Sequence, residues 1–373
     1  MKPSVSPWDF NERPLLVFWE TTRACQLVCK HCRAEAINER DSKELGLEEA
    51  QELLRAIRAF GSPPPILVLT GGDILMRPDA LELIARAAGV GLKVAVAPSV
   101  TPLLTETRLE EMMQAGVEGI SISLDGAGAA THDGIRGVDG TFEATVARIR
   151  EAVDLGMRVQ VNTAVMRSNI SELPDIFHII KGLGVAAWEV FFLIKTGRGA
   201  ELEDLEPWEY EEVAHFLYDA SFYGVQVRTT EGPHFRRVVV QRQEASEDAP
   251  PVDGRLLKGL RGQLRSLEGE PDERSSTRLV ATGDARGIVF INHQGYVYPS
   301  GFLPIPAGNV RRKDLTGIYR QSPFLRSLRS PDRFKGRCGR CRFKELCGGS
   351  RSRAFSAFGD PLAEDPACIY QPV

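Results

Sequence analysis

Seven cysteines stand in two groups: Cys25, Cys29 and Cys32 near the start, Cys338, Cys341, Cys347 and Cys368 near the end, with none between. A disulfide framework belongs to small exported domains with paired cysteines. An odd count in a chain of 373 residues fits that poorly. The opening residues lack the apolar core of a secretory signal, and no apolar run approaches the ~20 residues of a membrane-spanning helix. The expectation is a soluble, cytoplasmic protein with no membrane span, in a compartment where thiols stay reduced. Clustered thiolates there read as two metal centres. Lys+Arg 46 against Asp+Glu 50 leaves a net charge of −4, which argues against a chain that grips nucleic acid through its phosphates.

Between the cysteine groups, short apolar runs alternate with amphipathic stretches. The runs cover residues 15–20, 66–69, 94–97, 119–123, 158–165 and 187–193. After the first of them, Leu47, Ala50, Leu53, Leu54, Ile57 and Phe60 recur at helical spacing, with Gly61 as a stop. Residues 108–115, 142–155 and 173–183 repeat the pattern. Strand–helix alternation implies an α/β fold with a parallel sheet and helices packed outside it. Six such units suit a partial (β/α)6 barrel; a doubly wound sheet has the same periodicity. Either architecture places a ligand at the carboxyl ends of the strands.

Residues 207–223 predict a further helix and 225–230 a strand. Residues 241–286 turn polar and charged and read as a surface excursion with one helix near 255–267. A hairpin is expected at 288–299, turning at His293-Gln294-Gly295. The expected division is 1–206 for the barrel, 207–286 for a bridging helix, strand and charged linker, and 287–373 for a small cysteine-rich domain.

The first cysteines have the spacing C-x3-C-x2-C directly after the first strand. Three thiolates leave a tetrahedral zinc site one ligand short unless His31 joins them. They can instead hold three irons of a 4Fe–4S cube and leave the fourth open to a substrate. This loop, with an aromatic residue (His31) before its last cysteine, resembles that of the radical S-adenosylmethionine (SAM) superfamily, whose fold is a partial (β/α)6 barrel. Gly71-Gly72-Asp73 resembles the family's Gly-Gly-Glu segment, which binds the SAM amino group, although Asp73 is one carbon shorter and Ile74 replaces the usual proline. Ser123 and Arg136, in the segments 121–126 and 132–137, resemble the residues near the SAM carboxylate and ribose. Asn162 and Leu193 fall where relatives contact ribose and adenine. Taken singly, each of these is as readily a turn glycine or a satisfied polar side chain. The resemblance implies reductive cleavage of SAM to a 5′-deoxyadenosyl radical that abstracts a hydrogen from a substrate, with electrons from a flavodoxin- or ferredoxin-type donor. No catalytic side chain is assigned by it.

Cys338-x2-Cys341-x5-Cys347 with Cys368 supplies four thiolates, enough for a complete cluster or for zinc. The spacing resembles the C-terminal SPASM/twitch-like extension of radical SAM enzymes, which implies an auxiliary 4Fe–4S cluster. Ser300 and Ser350 stand where ligands to another auxiliary cluster are common, so one auxiliary cluster is expected.

Residues 20–25, 30–34, 196–199 and 347–354 resemble segments of tetrapyrrole-modifying members of alternative haem and haem d1 synthesis, the branch that decarboxylates Fe-coproporphyrin III. A substrate of this kind has several carboxylates and needs cationic partners. Lys195 and Arg198 are the candidates, with His234, Arg236 and Arg237 behind them, and each is equally readable as a solvated charge. His234 is also readable as a haem-iron ligand. Two other readings stay open: maturation of a ribosomal peptide, and a non-catalytic zinc or iron–sulfur protein.

Overall fold

Each predicted apolar run forms a strand in the computed structural model, which describes residues 9–246, 249–250 and 252–372. β1 (Leu16–Glu20), β2 (Ile66–Thr70), β3 (Val94–Val96), β4 (Val117–Ser123), β5 (Arg158–Val165) and β6 (Ala187–Phe192) pair in sequence order, all in parallel. Parallel neighbours need a crossover. The helices that supply it are α1 (Leu47–Arg58), α2 (Ala80–Gly89), α3 (Glu106–Gln114), α4 (Ala129–Arg136), α5 (Thr141–Asp154) and α6 (Leu173–Gly182). α1 shows why: Ala50, Leu53, Leu54 and Ile57 bury one face, while Glu48 and Glu49 begin it and Arg55 and Arg58 end it, as its dipole favours. α2 and α4 stand outside the predicted set.

The sheet continues past the six units at both edges. β7 (Gln226–Thr230) joins β6 and β8 (Ile288–Ile291) joins β1, both in parallel. β9 (Tyr296–Tyr298) returns antiparallel on β8 as the expected hairpin, with Gly295 at φ +83, and β10 (Gly308–Asn309) completes the ten strands. The hairpin's first strand is thus part of the barrel sheet, so the C-terminal residues continue it.

α7 (Pro207–Ala220) and α8 (His234–Glu244) flank β7, and α9 (Arg255–Glu268) packs on α6 and α7. Leu257, Leu260 and Leu264 of α9 are buried, so the helix expected within this polar stretch docks on the core while most of the described residues around it stay at the surface. Ser276 and Thr277 meet the free edge of β7, where the Ser276 hydroxyl donates to the Val225 carbonyl (2.5 Å) and the Thr277 hydroxyl to that of Val227 (3.4 Å). After β10 come α10 (Leu315–Gln321), α11 (Pro323–Leu328), the short α12 (Gly336–Arg340) and α13 (Arg351–Phe358). Among the described residues no helix is long and apolar enough to cross a membrane.

The pleat sorts side chains by face. Val17, Trp19, Leu67, Leu69, Ile122, Val161, Trp188 and Val190 point outward under the helices and are fully buried. The opposite face lines the interior, and there the two halves of the barrel differ. β8, β1 and β2 contribute Phe290, Phe18 and Val68; β4 to β7 contribute Ser121, Gln160, Asn162, Glu189 and Arg228.

Candidate active site: two cysteine sets on one cavity

The interior is a cavity of about 870 Å³. Cys25, Cys29 and Cys32 line it at the carboxyl ends of the strands, and Cys347 of the second set lines its wall. The first three lie on the loop after β1, where Cys25 and Cys29 are buried and Cys32 is partly so.

That loop is held by backbone contacts only glycine permits. The Gly72 amide donates to the Thr22 carbonyl (2.8 Å). A Cβ on Gly72 would lie 2.4 Å from the Ala24 oxygen, and one on Gly71 2.5 Å from that of Thr22. On the other side Gly197, at φ +54, sits so close that a Cβ would meet the Arg33 and Cys32 carbonyls at 2.5 and 2.6 Å. Arg198 donates to the Cys29 carbonyl (2.9 Å) and to that of Ala36 (3.3 Å). The segment 196–199 is therefore a clamp on the cysteine loop.

The donor set fits a thiolate-bound cluster. The Leu27 amide points at the Cys25 sulfur (3.3 Å), and the Arg136 guanidinium lies 3.7 Å from that of Cys29. N–H groups directed at sulfur stabilise thiolate and tune a bound cluster. In the second set, Cys338, Cys341, Cys347 and Cys368 line one small cavity. The Asp365 amide and the Arg351 guanidinium approach Cys338 at 3.3 and 3.5 Å, and the Phe343 amide approaches Cys341 at 3.4 Å. Burial pushes all four thiols up, so four thiols stay neutral in one pocket until a metal takes them as thiolates.

Ser123, Arg136, Asn162 and Leu193 all line the main cavity beside the first loop, as do Gly71, Gly72 and His31. Arg136 Nη2 lies 2.6 Å from Asp125 Oδ2, and His31 Nε2 lies 3.7 Å from the same oxygen. Burial pushes the His31 ring below its ordinary pKa; burial alone would raise the Asp125 carboxyl, but the Arg136 guanidinium foremost pulls it down. His31 Nδ1 and Arg136 Nε have no hydrogen-bond partner, and a buried donor calls for one. Both belong to residues on the cavity wall next to the cysteines.

Asp73 is placed differently from expectation. It is fully buried and does not line the cavity. Its oxygens accept from the Leu75 and Ser99 amides (3.1 and 3.3 Å) and the Thr101 hydroxyl (3.0 Å). The shorter side chain caps the turn that follows it, and the Gly-Gly backbone alone faces the cavity.

The expected substrate cations also need correction. The Lys195 side chain is exposed and off the cavity, because the chain turns outward into the clamp after β6. Arg198 lines the cavity but donates to the cysteine loop. His234 is 1% exposed, with Nε2 3.0 Å from the Tyr210 carbonyl and its ring edge-on to Phe192 at 5.2 Å. A carbonyl only accepts, so Nε2 holds the proton; burial lowers the pKa to about 4 and the ring is neutral. It lines the small cysteine cavity and not the main one, so the geometry offers no haem-iron ligand there. Arg237 is equally buried and ion-paired with Glu211. Arg236 does reach the main cavity, donating to the Leu346 and Thr282 carbonyls.

A pair of carboxylates escaped the sequence reading. Glu231 at the end of β7 and Asp284 beside β8 both line the cavity. Ser352 Oγ lies 3.1 Å from Glu231 Oε1 and 3.1 Å from each Asp284 oxygen, and Ser350 Oγ donates to Glu231 Oε2 (2.5 Å). One hydroxyl has one hydrogen, so hydrogen bonds from Ser352 to both carboxyls require a proton on one of them. Burial first, and for Glu231 then the Asp284 charge, pushes both carboxyls up, so the pair holds a proton between them. Glu231 at φ +56 and Ala285, next to Asp284, at φ +62 both have backbone rare for a non-glycine residue, and neither has a sequence signal.

A family model described as the Radical SAM superfamily matches residues 19–180. The AdoMet-dependent heme synthase of Oleidesulfovibrio alaskensis is 39% identical over 360 residues, covering 96% of this chain and 87% of that protein. The AdoMet-dependent heme synthase of Methanosarcina barkeri is 36% identical, covering 96% and 97%. Among solved structures, Streptococcus suis SuiB bound to precursor peptide SuiA superposes with a TM-score of 0.69 at 14% identity, over 96% of this chain and 76% of that one. The last likeness shows the fold, a radical SAM partial barrel with a C-terminal extension.

Proposed function

Because this chain belongs to the radical SAM superfamily, we propose that it decarboxylates a propionate side chain of an iron tetrapyrrole oxidatively, at the expense of SAM. The observation that carries this reading is that one cavity has three sulfurs of one set at its end and Cys347 of the other on its wall. The two similar proteins named AdoMet-dependent heme synthase support the substrate class.

Cys25, Cys29 and Cys32 would hold a SAM-binding 4Fe–4S cluster, and Cys338, Cys341, Cys347 and Cys368 an auxiliary one. When bound, the first cluster and SAM supply a 5′-deoxyadenosyl radical able to take an unactivated hydrogen. The chain's own residues place and shield that chemistry. The Gly71 and Gly72 backbone and Arg136 would orient the amino and carboxylate groups of SAM, Ser123 and Asn162 its ribose, and Leu193 its adenine. The apolar half of the barrel, Phe18, Val68 and Phe290, offers a dry wall for a flat macrocycle. The propionate would give one hydrogen atom to the 5′-deoxyadenosyl radical, lose its carboxyl as CO2 and pass one electron to an acceptor, which the auxiliary cluster held by Cys338, Cys341, Cys347 and Cys368 would supply, leaving a vinyl group. A flavodoxin- or ferredoxin-type donor would supply reducing electrons, and seven free thiols suit a reducing cytoplasm.

The test is anaerobic incubation of the reconstituted protein with SAM, dithionite and Fe-coproporphyrin III. The expected result is 5′-deoxyadenosine together with a porphyrin lighter by one carboxyl and one hydrogen. Nucleoside with unchanged porphyrin would move the substrate to a peptide.

A further inference from the structure

The cations that the sequence offered for substrate carboxylates are engaged elsewhere, and the cavity presents others. It extends to the amino-terminal ends of the strands, opposite the cysteines, where Arg158 and Arg278 line it, while Arg228 lines it from the middle of β7. Arg158 begins β5. Arg228 lies two strands away on the same interior face, since Glu189 pairs with both Asn162 and Arg228. Its guanidinium donates to Gln160 Oε1 (3.3 Å) and to Gln226 Oε1, both neutral. Arg278 comes one residue after Thr277, which holds the Val227 carbonyl.

None of the three arginines has an ion-pair partner among the described residues. The acid on this rim, Glu118, already faces Lys93 at 4.0 Å. Glu189, beside Arg228, accepts from the Thr230 hydroxyl (2.8 Å), and burial pushes its carboxyl up. Arg158 and Arg278, exposed on the rim of the cavity, and Arg228, whose charge acts on the buried Glu189, thus line it without a close ion pair among the described residues. From Arg158 to Ala164, which lines the opposite end, is six residues or about 20 Å of strand.

Resting on the proposed function, we infer that Arg158, Arg228 and Arg278 form the anchor for the carboxylates of the macrocycle that are not reacting. The substrate then lies along the barrel, its reacting side chain toward the cysteine loop and its distal carboxylates among these arginines. Guanidinium–carboxylate pairing is directional and charge-assisted, so it sets orientation as well as affinity.

The experiment titrates the reconstituted wild type and variants anaerobically with Fe-coproporphyrin III and with its tetramethyl ester, following the porphyrin absorbance. Arg158→Gln combined with Arg278→Gln alters exposed side chains only, and Arg228→Gln is added to it. The acid is expected to lose about tenfold or more in affinity per arginine removed. The ester is expected to bind the wild type weakly and to be indifferent to the substitutions. Arg228→Lys, which retains the charge, is expected to recover part of the loss and guards against misfolding as the cause. Equal binding of the acid by wild type and triple variant, or equal losses for acid and ester, would overturn the anchor while leaving the substrate class intact. A wild type that binds neither porphyrin overturns both.

Discussion

The Arg136 guanidinium lies 3.7 Å from the Cys29 sulfur while its other arm reaches Asp125 at 2.6 Å. One side chain thus ties the cysteine loop to the end of β4. Arg136→Ala leaves the Asp125 carboxylate, 1% exposed, without its closest cation. Breaking a buried pair from one side costs about 3–5 kcal/mol. The expected outcome is a lower melting temperature and weaker SAM binding; a variant with unchanged SAM affinity would remove Arg136 from the site.

Gly197 and Gly72 grip the cysteine loop from opposite sides. Gly197→Ala would drive a methyl into two carbonyls at a positive φ, so the loop must move. Reconstituted iron content is expected to fall toward the four irons of the auxiliary cluster, with SAM cleavage lost. Full iron loading would mean that the clamp is not needed to form the site.

Most of this fold is legible in the chain because its cause is local. Apolar runs such as 158–165 and 187–193 alternate strictly enough to mark strands, and cysteine spacing marks the loops. What escaped depends on contacts far apart in sequence. Nothing in the stretch 255–268 says that Leu257, Leu260 and Leu264 dock on α6 and α7. Glu231 and Asp284 meet only because α13 brings Ser352 between them. Lys195 and Arg198 follow a strand end, as substrate cations should, yet the turn at Gly197 directs one to solvent and the other onto the loop.

The proton shared by Glu231 and Asp284 has a thermodynamic signature. Burial holds both carboxyls above their ordinary range, so the folded state keeps a proton that the unfolded state gives up. Stability is therefore lost as pH rises above the ordinary carboxylate range. Thermal unfolding between pH 6 and 9 is expected to show a steeper decline for the wild type than for Glu231→Gln. Parallel declines would place the proton elsewhere.

Arg237 and Glu211 form a buried pair, both about 1% exposed. Arg237→Ala is expected to destabilise by about 3–5 kcal/mol, and the double change Arg237→Met with Glu211→Leu to recover much of it. Chemical denaturation measures both. A mild single substitution would reopen a ligand role for Arg237.

The two cysteine sets are separable by substitution. Cys29→Ala is expected to abolish SAM cleavage outright. Cys341→Ala is expected to lower iron content and porphyrin conversion more than SAM cleavage without substrate. Equal losses of both activities in Cys341→Ala would make the second site structural only.

The most direct test of the central claim follows the hydrogen. Fe-coproporphyrin III deuterated at the propionate β-carbons is incubated anaerobically with the protein, SAM and reductant, and 5′-deoxyadenosine is weighed by mass spectrometry. Deuterium is expected in the nucleoside, in step with loss of CO2 from the porphyrin. Unlabelled nucleoside beside an unchanged porphyrin would contradict it.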